Sequence, residues 1–215
     1  MKITIAGGHG KIALLLSELL AQAGHTPVAL IRNPDHEADV RAHGAEPLLL
    51  DLEKSDVSSL VDALRGSDAV VFAAGAGPDS GPARKLTVDR DGAILLATAA
   101  HTAGVPRVVV ISAIGSDDFD PDSDDEFQIY LRAKSEADAA VRALDLDWTI
   151  VRPGGLTDEP GTGLVEAAAV VERGSIPRAD VAAVIAGLLG SGRGIRSQFE
   201  VVSGSVPIDS ALAGV

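Results

Sequence analysis

Two hydrophobic rhythms alternate along the chain. Short runs rich in Ile, Val, Leu and Ala occur at Ile3–Ala6, Pro27–Ile31, Ala45–Leu50, Asp68–Ala74, Arg107–Ile111 and Trp148–Val151. Between them, apolar residues recur every three or four positions, as Leu14, Leu15, Leu19 and Leu20 do within Lys11–Ala23. The first pattern predicts strands buried on both faces, the second amphipathic helices. Helices are predicted over Lys11–Ala23, closed by Gly24, then Asp35–His43, a segment capped by Ser55 or Asp56 and ending at Leu64, Thr87–Ala103 and Phe127–Leu144. Strand and helix in regular alternation predict an α/β fold: a doubly wound, mostly parallel sheet with helices on both faces. After Arg152 the rhythm loosens into a Gly/Pro loop to Gly163, a strand Val165–Val171, a helix Arg178–Leu189 and a strand Gln198–Val202. No repeat or linker divides the chain, so residues 1–215 read as one domain, with about 152–215 forming a small substrate-capping part on the same sheet.

The first strand runs directly into Gly7, Gly8 and Gly10 and then into a helix. Such a turn offers backbone N–H groups and the positive helix end to a phosphate, with glycine allowing positive φ and close backbone approach. The string fits Gly8-x-Gly10-x-x-Ala13 and equally Gly7-x-x-Gly10-x-x-Ala13. At the end of the second strand stands Arg32, where a dinucleotide fold reads the adenosine ribose. An acidic residue there accepts from the 2′-hydroxyl of NAD, whereas Arg suits the 2′-phosphate of NADP. The spacing therefore points to NADP(H). Asp51, after the third strand, is placed either by the adenine edge or as a cap on the next turn.

Composition narrows the partners. The 215 residues carry a net charge of −13, which argues against nucleic acid and anionic membrane as partners. No cysteine is present, so disulfides, thiolate catalysis and thiolate metal sites are excluded. No apolar run approaches the roughly 18 residues of a membrane span. A cytoplasmic protein acting on a small molecule is the expectation, monomer or homodimer being left open.

Tyr130 and Lys134 lie four apart on a predicted helix and share a face. A phenol needs a neighbouring cation to ionise near neutrality, and Lys134 supplies one. Ser112 follows the fifth strand, at the sheet edge where ligands bind, and is placed to donate a hydrogen bond to a substrate carbonyl. Other signals carry less. Ser116–Phe127 is rich in acidic residues, but it has Asp125 and Leu131 where a calcium loop needs Gly and Glu, so a solvated, mobile lid is expected. The five histidines lack ligand spacing, so no metal is expected. Neither a P-loop nor a hydrolase elbow is present.

With these residues in view, the chain resembles the short-chain dehydrogenase/reductase superfamily, specifically its atypical branch of small NAD(P)H-binding, NAD-dependent epimerase-like proteins. The carriers are Gly7-Gly-His-Gly-Lys-Ile-Ala13, Arg32-Asn-Pro34, Val88-Asp-Arg-Asp-Gly92, the stretch from Trp148 through Arg152-Pro-Gly-Gly to Gly163, and Phe199-Glu-Val-Val-Ser-Gly204. The resemblance implies a Rossmann-like fold and an NADP(H)-dependent oxidoreductase for a small carbonyl- or flavin-type substrate. It also implies Ser112, Tyr130 and Lys134 as the catalytic trio, with Asp89 where an Asn would complete the tetrad. For the cofactor it implies the turn Gly7, Gly8, His9, Gly10, Lys11 and Ile12, then Arg32, Asp51 and Leu52. Ala73, Ala74 and Gly75 follow the fourth strand, and Lys134, Pro153, Gly154 and Leu156 take the nicotinamide end. The alternatives are a non-catalytic NADP(H)-sensing regulator and a sugar epimerase/dehydratase-like enzyme.

Overall fold

A computed structural model describes residues 1–77 and 80–215. Seven parallel strands are β1 (Lys2–Ala6), β2 (Thr26–Ile31), β3 (Glu46–Leu49), β4 (Ala69–Phe72), β5 (Arg107–Ile111), β6 (Asp147–Pro153) and β10 (Ser197–Ser203). They lie in the order β3-β2-β1-β4-β5-β6-β10. Beyond β10, β8 (Leu164–Ala168) pairs antiparallel with it, and β11 (Val206–Pro207) pairs antiparallel with β8 at the sheet edge. This is a Rossmann-like single domain.

The apolar runs are two-sided, as the sequence requires. Ile3, Ile5, Val71, Val109, Ile111 and Phe199 face α1 (Lys11–Gln22) and α7 (Arg178–Ser191). Val70, Phe72, Val108, Val110 and Ile150 face α3 (Val57–Leu64), α5 (Ala93–Ala103) and α6 (Glu126–Arg142). The short α2 (Glu37–Ala42) covers the outer end of β2 through Val40. Strand order reverses between β1 and β4, so their carboxyl ends diverge and open a crevice.

Three stretches depart from the expectation. The helix predicted from Thr87 begins earlier, with α4 (Pro82–Arg84), and winds as a π-helix over Lys85–Gly92 before α5. Gly81, at φ +79°, and Pro82 at the first turn set that earlier start. The long Gly/Pro loop contains β7 (Gly155–Thr157), paired in parallel with β9 (Ser175–Pro177), a ribbon too short to leave a periodic trace. The residues after 152 do more than cover the sheet: β10 is its seventh parallel strand, and α7 packs beside α1 in the core. The chain closes with the short α8 (Ile208–Ala211).

Candidate active site

The crevice between β1 and β4 holds a cavity of about 270 Å³, lined by the turn Gly7–Gly10, by Arg32, His36, Asp51, Leu52 and Glu53, and by Ala73–Ala76. Gly10 begins α1 with no side chain over the helix's opening amides, which leaves those donors for an anion. The first two glycines have a packing reason that the sequence does not reveal. Gly7 sits at φ +78°, and a Cβ there would come within 2.5 Å of the Ala74 backbone; at Gly8 it would meet the Ala29 side chain at 2.5 Å. The turn is thus pressed between the ends of β2 and β4. These residues fit the adenosine and pyrophosphate part of a dinucleotide.

Arg32 stands at the rim with its side chain 59% exposed, Nη1 lying 3.5 Å from Glu53 Oε2. Glu53 is held more closely by others: Arg84 donates to it at 2.8 Å and Thr87 at 2.8 Å. The Arg84 guanidinium holds the Glu53 carboxyl below the usual range. Arg32 therefore keeps most of its donors in solvent. Asp51 caps the next turn, accepting from Glu53 N at 3.1 Å, and it also lines the cavity. His9 also lines the cavity, bonded to Asp39 at 2.8 Å and stacked on His36.

A second cavity of about 640 Å³ continues from the first, the two sharing Ala73, Ala74 and Gly75 as a common wall. Ile12, Asp89, Ser112, Tyr130, Lys134 and Leu156 all line it. Tyr130 and Lys134 do share one face of α6, with Lys134 Nζ 5.7 Å from the ring centre. Lys134 is buried and donates to Ile111 O at 3.1 Å, with Asp89 Oδ1 at 3.3 Å. Asp89 in turn accepts from Ala76 N at 3.1 Å, tying the β4 loop to the lysine. Burial works against the Lys134 ammonium, but Tyr130, Asp89 and Asp138 outweigh it and leave its pKa raised. For Tyr130 the outcome differs from the sequence reading. Burial, with Asp89 and Asp138, outweighs Lys134 and pushes the phenol above its ordinary value. Near neutrality the group is a phenol, suited to give a proton rather than take one.

Ser112 is likewise corrected. Its hydroxyl donates to Asp138 Oδ2 at 2.8 Å, so its single proton is already engaged and only lone pairs remain for a ligand. Asp138 is fully buried and also accepts from Arg152 Nε at 2.9 Å. Burial raises the Asp138 carboxyl even against Arg152, Ser112 and Lys134, and its Oδ1 has no partner. Arg152 reaches on to Asp117 with two bonds, at 2.7 and 3.0 Å, and holds that carboxyl below its usual value.

That contact also ties down part of the acidic stretch, whose other residues are mostly exposed as expected. Ser116 is buried, Asp117 is paired with Arg152 and Ser135, and Asp125 caps α6 through Phe127 N and Gln128 N. Three residues expected at the cofactor line neither cavity. Lys11 lines neither cavity and pairs instead with Asp158 at 2.5 Å. Pro153 and Gly154 are buried outside both cavities, where Gly154 gives the Gly174 backbone and Val202 room to approach. Among the described residues no cluster of three His, Asp or Glu side chains could hold a metal.

The sequence reading misses Lys85, Asp138, Arg152 and Arg178. Asp138 continues the Tyr130–Lys134 spacing by another four residues, and Arg152 is a lone charge in an apolar strand; both are readable signals. Lys85 has none, because the π turns rephase its helix.

Comparison with known proteins agrees with this architecture. A family model described as NAD(P)H-binding matches residues 7–191. The chain is 37% identical to the “Uncharacterized sugar epimerase YhfK” of Bacillus subtilis, covering 99% of both chains. It is 36% identical to the UPF0659 protein YMR090W of Saccharomyces cerevisiae, over 99% of this chain and 97% of that one. A solved Bacillus halodurans structure, provisionally described as an NAD-dependent epimerase/dehydratase, superposes with TM-score 0.91 at 36% identity, over 99% of each. The oxidoreductase ylbE of Lactococcus lactis gives TM-score 0.85 at 27% identity, over 99% of this chain and 95% of that one. With the glycine turn at the switch point and a Tyr/Lys helix face beside it, the chain belongs to the NAD(P)H-binding family of Rossmann-fold, reductase- and epimerase-like proteins.

Proposed function

We propose that this protein is an NADP(H)-dependent oxidoreductase that reduces a small carbonyl- or flavin-type substrate in the second cavity. The observation that carries the reading is the wall shared by the two cavities. A dinucleotide laid from Arg32 across the glycine turn and along Ala73–Gly75 brings its nicotinamide end to Tyr130 and Lys134. Bound NADPH would supply the hydride. The protein's part is to hold the acceptor and deliver a proton. Tyr130, kept as a phenol by burial, gives its proton to the acceptor oxygen or nitrogen. Lys134, beneath it, receives the resulting phenolate charge and faces the ribose side, fixed in place by Asp89 and the Ile111 carbonyl. Arg32, open to solvent beside a Glu53 already satisfied by Arg84, takes the 2′-phosphate.

Replacing Tyr130 by Phe keeps the ring and removes only the hydroxyl. NADPH affinity should remain, while NADPH oxidation against a panel of quinones, aldehydes, ketones and flavins should fall by about 10²–10⁴-fold. Undiminished turnover in Tyr130→Phe would remove the tyrosine from the chemistry. Cofactor retained with no net NADPH consumption, alongside isomerised sugar, would turn the reading to an epimerase, the activity named for the Bacillus subtilis relative.

A further inference from the structure

Two lysines are buried among the described residues, and only one of them has a role so far. Lys134 has a buried carboxylate, Asp89, at 3.3 Å. Lys85 also lines the second cavity, its side chain 9% exposed. Its Nζ donates to Gly77 O at 2.5 Å and lies 3.3 Å from Glu126 Oε1. Its ammonium is also 5.8 Å from the centre of the Tyr130 ring. We propose that Lys85 anchors a carboxylate of the substrate, so that the second cavity takes a carbonyl compound that also bears a carboxylate. This rests on reading the second cavity as the acceptor site.

Removing an ammonium from water is costly unless a countercharge meets it. In the unliganded protein Glu126 and the Gly77 carbonyl meet that need, Glu126 with a side chain that is 40% exposed. The local backbone points to function. Lys85 opens the π-helical stretch, a form that concentrates at functional sites, and Asp89 four residues on lines the same cavity. The other carboxylates of the cavity are already committed. Asp89 serves Lys134 and Ala76 N, and Asp125 caps α6.

Glu126 differs: it lies in the first turn of α6, its side chain is 40% exposed, and it can swing into solvent. It occupies the position that a ligand carboxylate would take, and the exchange is one negative charge for one. A phosphate would bring a second charge towards Asp89, which favours carboxylate. Phe127 and Leu156, both exposed apolar residues on the cavity wall, supply the surface for the rest of the molecule. Arg178, which gives Nη1 to Asp158, adds a further cation to the lining.

The test is equilibrium binding, so that it does not depend on turnover. The protein saturated with its nicotinamide cofactor is titrated by calorimetry with 2-naphthoate, with neutral 2-naphthamide and with 2-naphthyl phosphate. The wild type should bind naphthoate about tenfold or more tightly than the amide, the range of a charge-assisted hydrogen bond. Lys85→Met should erase that preference while leaving the amide unchanged, and Lys85→Arg should restore part of it. Glu126→Gln, which removes the competing carboxylate from an exposed position, should tighten naphthoate and gives an answer even if the Met variant does not fold. No naphthoate preference in the wild type, including no binding, overturns the proposal, as does a preference that survives in Lys85→Met. Tighter binding of naphthyl phosphate overturns the choice of carboxylate. Loss of the reductase reading would appear separately, as absent turnover with naphthoate binding intact.

Discussion

Arg152→Met is the perturbation whose consequence the structure defines most fully. The guanidinium is 5% exposed and sits between two carboxylates, Asp138 with no exposure and Asp117 at the surface. Methionine keeps much of the apolar stem but removes every donor. It leaves Asp138 with the Ser112 hydroxyl as its remaining side-chain donor and without its nearest cation. Removing one partner of a buried pair costs about 3–5 kcal/mol, because the other charge is stranded. Asp117 adds little to that figure, since water screens its half-exposed carboxylate once Arg152 is gone.

In a chain of this length the loss corresponds to a melting temperature lower by roughly 6–20 °C. Its pH dependence has a definite sign. The Asp138 pKa is already raised by burial, and losing Arg152 raises it further. A carboxyl whose folded pKa lies above its unfolded value stabilises less as pH rises through that interval. The variant should therefore recover part of its loss between neutral pH and about pH 5, where protonation removes the stranded charge. Urea unfolding followed by the fluorescence of Trp148, the single tryptophan, at both pH values measures this. The double variant Arg152→Met/Asp138→Leu strands no charge and leaves only the Ser112 hydroxyl without its acceptor, so it should return part of the stability. A single variant within about 1 kcal/mol of wild type, well below the 3–5 kcal/mol of a stranded buried charge, would refute the reasoning, as would a double variant no better than the single.

Two further outcomes follow from the site. If Arg32 takes the 2′-phosphate, NADPH should bind more tightly than NADH by about tenfold, the lower end of a charge-assisted hydrogen bond because the side chain is so exposed. Arg32→Ala should level the two by calorimetry, and equal wild-type affinities would remove the argument. Asp89→Asn withdraws a charge that helps keep the Tyr130 phenol above its ordinary value, so the alkaline limb of the kcat/KM profile should move to lower pH. An unmoved limb would mean that Asp89 acts only as a packing partner of Lys134.

The strands are legible in the sequence because a parallel sheet is buried on both faces, and runs such as Arg107-Val-Val-Val-Ile111 record that directly. The glycine turn is legible too, although its reason is partly mechanical: Ala29 and Ala74 leave no room for side chains there. Tyr130 and Lys134 show in the sequence because helical spacing puts residues four apart on one face. What the sequence hides depends on long-range contacts. That Ser112 gives its proton to Asp138, twenty-six residues on, depends on β5 and α6 being packed together. The net direction of the Tyr130 pKa depends on how completely it is buried, which no local pattern reports. Lys85 is hidden by the π turns, and composition counts the charges of the acidic stretch without showing that Asp117 pairs with Arg152.

The most direct test of the account is a crystal structure with NADPH bound. It should show the dinucleotide across both cavities: 2′-phosphate at Arg32, pyrophosphate at the start of α1, and nicotinamide beside Ala73–Gly75 with the Tyr130 hydroxyl open to the space above the ring. An acceptor seated there would reach the reactive separation of roughly 3–3.5 Å. A nicotinamide lying outside the second cavity, or one that leaves no space between its ring and Tyr130, would contradict the account.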